Sequence, residues 1–216
     1  MQPDNKDTSL EALKDIRTIM DRSARFISLS GWSGIWAGST AMVGAFLAYK
    51  MLHTLDPDIR DGYLLGALNP LDSRLVYFVI LAIVVFIVAL AGGLFFTIRK
   101  AKRDGIVVWN QASRQLLLHL FFPIIAGGFF CVYFFNDGFH YFVAPACLVF
   151  YGLALISASK FTLSDIRYLG MIEVVLGCIN LFFPWYSLYF WAAGFGVLHI
   201  LYGIFMWNKY DKKPGR

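Results

Sequence analysis

Glu173 stands inside an apolar run, Tyr168–Pro184, while the thirteen other acidic residues fall in polar segments. An ionised carboxylate in hydrocarbon costs several kcal/mol, so it must be neutral, paired or hydrated. His199 lies in the next apolar run. His119 lies in an earlier one, five residues after Arg114. Asn180 adds a polar amide to the run that carries Glu173. These four are the candidate buried polar residues. A carboxylate facing an imidazole can fix two helices in register through a charge-assisted hydrogen bond. It can also carry a proton or ion step in transport. With two histidines, it can supply ligands to a metal or haem. No HExxH, CxxCH or phosphate-binding loop accompanies them, so the sequence assigns no catalytic, cofactor or metal residue. Cys131, Cys147 and Cys178 all lie in apolar runs without metal spacing, and their odd number is no disulfide framework. Cys131 and Cys147 could approach near the outer ends of two adjacent helices; the plain reading is small buried hydrophobes.

Spacing relates Glu173 to His199. If the chain turns near Tyr186, residues equidistant from it share a level. Glu173 lies 13 residues before that turn and His199 13 after; Asn180 and Ala192 lie 6 either side. Gly170 and Gly203, and Gly177 and Gly196, match within one residue. Two stripes of small residues thus fall in register. Lipid gives helices no hydrophobic reason to associate, so close approach through small residues must hold them together. The expectation is that helix five packs on helix six along Gly170, Gly177, Gly196 and Gly203. Gly31, Gly34 and Gly38 form a further seam, for a neighbour within the chain or for a second protomer in a homo-oligomer.

The elements that position these residues follow from composition. Of 216 residues, 58% are hydrophobic and 15% charged, which excludes a disordered chain and a soluble nucleic-acid binder. The apolar runs are Phe26–Tyr49, Leu75–Thr97, Leu116–Phe135, Phe139–Ala158, Tyr168–Pro184 and Leu188–Trp207. A bilayer core of ~30 Å needs about 20 helical residues. The fifth run, with 17, is the shortest. The fold class is all-α: a polytopic membrane protein of six transmembrane helices arranged as three antiparallel hairpins. Residues 1–25 form a cytoplasmic N-terminal helix, 26–207 the transmembrane domain and 208–216 a cytoplasmic tail. Of 19 Lys and Arg residues, only Lys50, Arg60 and Arg74 fall on the side opposite the tails. This asymmetry places both termini in the cytoplasm. The net charge of +5 belongs to that topology and not to a nucleic-acid partner.

Residues 5–24 read as an amphipathic helix, with Thr8 and Glu11 at capping-box spacing and Leu10, Leu13, Ile16 and Met20 on one face. That face can meet a cytoplasmic protein or anionic lipid, or pack on the protein's own loops. Arg99–Arg103 forms a basic cluster just beyond the second run. It serves topology or lipid headgroups. Asp56, Asp58, Asp61, Asp72 and His53 read as a solvated loop, since their spacing matches no ligand loop. Pro123 and Pro145 can break or kink the helices that contain them.

Internal echoes suggest a repeated hairpin. Gly38 follows Arg25 by thirteen residues, as Gly127 follows Arg114. The even runs open with Tyr77-Phe78-Val79, Tyr141-Phe142-Val143 and Tyr189-Phe190-Trp191. The stretch Arg167–Ile204 has two glycines seven apart, an apolar run, a proline at the turn and a late glycine. It resembles the short repeat of small six-span acid-resistance membrane proteins of bacteria. "DIRTIMDRSARFISLSGWSGIWAG" near the N-terminus is similar to uncharacterised inner-membrane proteins of Bacteroidota-type bacteria. The first resemblance implies a non-enzymatic, stress-related role in the inner membrane, and neither supplies a catalytic motif. The expected function is therefore a small integral membrane protein with a stress, regulatory or partner-binding role. The alternatives are a proton- or ion-coupled transporter or channel using Glu173 and His199, and a haem- or metal-binding membrane protein.

Overall fold

The computed structural model describes residues 29–54 and 73–212. Every secondary-structure element among them is helical, with no strand. The expected amphipathic helix at 5–24 and most of the acidic loop at 50–74 lie outside the described residues.

Six helices follow one another. They are α1 (Gly31–His53), α2 (Ser73–Arg103), α3 (Gln111–Asn136), α4 (Val143–Ala158), α5 (Ile166–Asn180) and α6 (residues 187–211). Five helical stretches are long and apolar enough to cross a membrane: those carrying α1, α2, α3, α4 and α6. The exception, α5, has 15 residues, or about 22 Å at 1.5 Å per residue. α2 runs further than its apolar stretch, so Arg99–Arg103 is helix and not loop. Neither proline interrupts a helix. Pro123 lies inside α3, and Pro145 sits in the first turn of α4, where its missing N–H has no helical partner to lose. Asn110 and Ser113 close a reciprocal capping box at the start of α3. Gly138, with φ 80°, makes the turn between α3 and α4.

α6 is not a uniform helix. Its α-helical parts Ser187–Trp191 and His199–Met206 are each followed by a π-helical stretch, Ala192–Leu198 and Trp207–Asp211. The second stretch carries the helix to Asp211, so the expected tail at 208–216 begins as helix. A π turn takes up an extra residue and re-aims the face beyond it, and such turns recur at functional sites.

The packing inverts that of a water-soluble bundle. α1 buries only Gly31, Gly38, Ala41, Gly44 and Ala45. The fully buried side chains elsewhere include Leu148 and Met206 together with Thr162, Glu173 and Asn180, while Ile83, Ile87, Phe95, Phe122 and Phe182 are exposed. Glycine, alanine and polar groups among the buried residues, with many large apolar side chains facing outward, is the pattern expected where the surroundings are lipid.

α1 packs on α2 and on α6; α4 packs on α3, α5 and the start of α6. Trp36 Nε1 donates to the Val88 carbonyl of α2 at 3.0 Å. At one end of the bundle Asp211 joins three helices. It pairs with Lys100 of α2, accepts from the Gly31 amide of α1 at 2.9 Å and from Ser30 Oγ at 3.3 Å. Ser30 itself supplies no side-chain cap. The Asp211 carboxylate takes over that role at the positive end of α1. Lys100 also donates to the Leu29 carbonyl at 2.8 Å. Nearby, Asp165 accepts from Lys209 Nζ at 2.7 Å and Tyr210 Oη at 2.9 Å. At the opposite end Ser187 Oγ donates to the Tyr141 carbonyl at 3.3 Å. Short α5 therefore lies on a chain segment that passes from one end, at Asp165, to the other, at Ser187.

Candidate functional site

α5 presents Ile166, Leu169, Gly170, Glu173, Gly177 and Asn180 on one buried face, at helical spacing. Glu173 is fully buried and its Oε1 lies 3.5 Å from His199 Nδ1. The shared level of these residues was legible in the spacing. The helix faces are arranged differently from the expectation. Gly170 abuts Gly152 and Ile156 of α4, and Gly177 abuts Leu148 and Val149 of the same helix. Gly203 abuts Ile35 and Gly31 of α1, and Gly196 abuts Met42 and Gly38. The two stripes thus do not pack on each other. Equal distance from a turn fixes depth along a helix but not rotation about it. At this level the Glu173 carboxyl and Leu148 Cδ2 of α4 fill the space beside Gly194 of α6.

The seam Gly31, Gly34 and Gly38 faces α6 of its own chain. Gly38 therefore serves a different contact from Gly127, which meets Phe150 of α4. The thirteen-residue echo does not mark equivalent packing.

His199 is held from three sides. Its Nδ1 lies 3.0 Å from the Gly194 carbonyl, which can only accept, so Nδ1 carries a hydrogen and donates. Its Nε2 lies 2.7 Å from Tyr151 Oη of α4. In the neutral ring Nε2 accepts from the tyrosine; in the imidazolium it donates to it. The hydroxyl serves both states. The Phe195 ring stacks near the imidazole with centroids 6.0 Å apart, and Trp191 lies 5.2 Å from Phe195. Gly194 makes room for the acid: a Cβ there would stand 2.5 Å from Glu173 Oε2. The π stretch of α6 thus supplies both the carbonyl that orients His199 and the gap that admits Glu173.

The array is Glu173, His199 and Tyr151, contributed by α5, α6 and α4. Neither carboxyl oxygen of Glu173 has a hydrogen-bond partner among the described residues, so the imidazole at 3.5 Å is a charge partner rather than a bonded one. Tyr151 is the member that sequence reasoning missed. Its signal was a phenol seven residues inside the end of its apolar run, where tyrosine normally sits at the boundary.

The other candidates lie elsewhere. His119 is half-buried, with Nδ1 2.9 Å from the Gln115 carbonyl of its own helix and its ring 4.4 Å from Phe161. It does not join the array. Asn180 is fully buried, with its Oδ1 3.1 Å from Ser187 Oγ, whose one hydrogen is divided between this oxygen and the Tyr141 carbonyl. Among the described residues no group of three or more His, Cys, Asp or Glu could hold a metal ion. Cys131 and Cys147 are free thiols with sulfurs 3.6 Å apart. Comparison with protein-family models, with curated proteins and with solved structures finds no match for this chain.

Proposed function

We propose that this is an integral protein of a bacterial inner membrane, crossing it six times with both termini in the cytoplasm. Its role is non-enzymatic and regulatory or stress-related, with protonation of the Glu173–His199–Tyr151 array as its trigger. The observation that carries this reading is a carboxylate and an imidazole 3.5 Å apart with side chains 0% and 8% exposed, at the junction of three helices. The Glu173–His199 pair is neutral when it holds one titratable proton, on either group. A second proton leaves net charge between α5 and α6, where a low dielectric makes it expensive, and separation of the helices would hydrate it. α6 is built to pass such a shift along. Its two π stretches flank His199–Met206, and its far end holds Asp165 through Lys209 and Tyr210 and closes on Lys100 and Gly31 through Asp211. The membrane assignment draws on the inverted packing and on the Lys/Arg asymmetry.

Trp191 reaches His199 through Phe195 and gives the readout. In proteoliposomes, acidification should change the tryptophan fluorescence of the protein. The change should be reduced in Trp191→Phe and absent in His199→Asn. A pH-sensitive dye inside the vesicles should report no flux above that of empty vesicles. Flux that disappears in Glu173→Gln would replace this reading with proton-coupled transport. Fluorescence indifferent to pH would remove the trigger. A reporter fused after Arg216 should read as cytoplasmic and one at Asp137 as external.

A further inference from the structure

At the end of the bundle closed by Asp211, helices α1, α2 and α6 leave a cavity of about 620 Å³. Trp32, Phe96 and Trp207 line it, with Trp32 6.5 Å from Phe96 and 6.3 Å from Trp207 between ring centroids. Arg99, Lys100, Arg103 and Asp211 supply its charge. Lys100 and Asp211 are buried and spend their charges on each other. Arg99 is exposed, and among the described residues Arg103 pairs only with Asp104, a solvent-exposed contact at 3.2 Å, of the kind that contributes little. The cavity thus combines an aromatic lining with two guanidinium groups whose charge no described residue of the lining neutralises.

We infer that this cavity seats one anionic phospholipid, its phosphate between Arg99 and Arg103 and its glycerol and first acyl carbons on Trp32, Phe96 and Trp207. Guanidinium groups bind phosphate through paired N–H donors, and a net positive lining selects an anionic headgroup over a zwitterionic one. The aromatic lining favours a lipid over a free phosphate, since a soluble anion would leave those rings unmatched. Aromatic side chains settle at the headgroup level of a bilayer, the depth at which such a lipid would be met. The inference rests on the membrane reading given above. It assigns Arg99 and Arg103 a ligand, beyond their part in setting orientation.

The test uses the full-length protein in nanodiscs of phosphatidylethanolamine doped with phosphatidylglycerol, followed by native mass spectrometry. One phosphatidylglycerol should stay bound through detergent exchange. Arg99→Gln and Arg103→Gln should each weaken retention about fivefold, as expected for one basic residue at an anionic surface. Both should melt as the unmodified protein does. Lys102→Gln, a neighbouring exposed cation outside the cavity, should bind as the unmodified protein does. An equal loss in Lys102→Gln would reduce the effect to general surface attraction and overturn the site. Equal affinity for soluble glycerol phosphate would remove the role of the rings and overturn it too. Retention seen only in L13E/I16E would show that the chain's own N-terminal segment is the occupant. A protein that fails to enter the nanodisc refutes the membrane reading; one that enters and keeps no anionic lipid refutes this site alone.

Discussion

Gly152→Ala adds one methyl group where α4 touches α5. The new Cβ would stand 2.6 Å from the Gly170 carbonyl oxygen, 2.7 Å from Val174 Cγ2 and 2.8 Å from the Val174 amide. Two of those three atoms are backbone and cannot swing aside. Opening the carbonyl contact from 2.6 to 3.4 Å, where ordinary van der Waals contact begins, moves α5 by about 0.8 Å. The same shift pulls Glu173 relative to His199. Overpacking by one methylene-sized group costs about 1–3 kcal/mol. Gly93→Ala and Gly128→Ala are the controls, since a Cβ at either glycine meets nothing within 4 Å. Alanine favours a helix over glycine by about 1 kcal/mol, so these should be neutral or stabilising. The helix-propensity gain is common to all three sites, so the seam and control variants should separate by the overpacking cost alone, roughly 1–3 kcal/mol. A chain of this size moves its Tm by about 2–4 °C per kcal/mol, so thermal melts in detergent resolve the difference. The double variant G152A/G170A should cost less than the two single costs together, because one separation of the helices relieves both contacts. Equal melting of Gly152→Ala and Gly93→Ala would refute the close approach of α4 and α5.

Asp211→Ala should destabilise the fold by about 3 kcal/mol, because it leaves the buried Lys100 ammonium without its carboxylate. The double variant K100M/D211L, which removes both charges, should recover part of that loss in the same melts. Tyr151→Phe should cost about 1 kcal/mol, the net worth of one buried hydrogen bond, and should shift the ¹⁵N resonance of His199 Nε2 while Nδ1 keeps its hydrogen. A mild thiol oxidant should join Cys131 to Cys147 within one chain, two thiols giving one disulfide while the oxidant takes up two electrons. Thiol labelling should then fall to Cys178 alone, and cross-linked dimers would contradict the 3.6 Å separation.

The helical class and the existence of every long apolar helix were written in hydropathy, because a segment facing lipid must satisfy its own backbone and be apolar for about 20 residues. The common depth of Glu173 and His199 was written as well. Two rods joined by a short turn match level by level, and rise per residue is a property of the backbone alone. Glycines marked close approach at Gly31, Gly34 and Gly38, since a position without a Cβ in an apolar helix has few other uses.

What sequence could not decide was rotation and partner. Gly170 and Gly177 turned to α4, and Gly196 and Gly203 to α1. A glycine stripe states that some backbone comes near and is silent on which one. Gly152 had no partner in the spacing argument for the same reason. Tyr151 entered the site because α4, not α3, lies against α5 and α6, and nothing local to the sequence of α4 records that neighbour. Lys100 and Asp211 read as a topology charge and a tail residue. They became a buried pair only once α2 and α6 brought residues 111 positions apart to one end of the bundle. Periodicity and hydropathy are properties of single helices and survive in the chain by itself. Azimuth and neighbour choice are properties of the packed bundle, set by the fit of six helices at once.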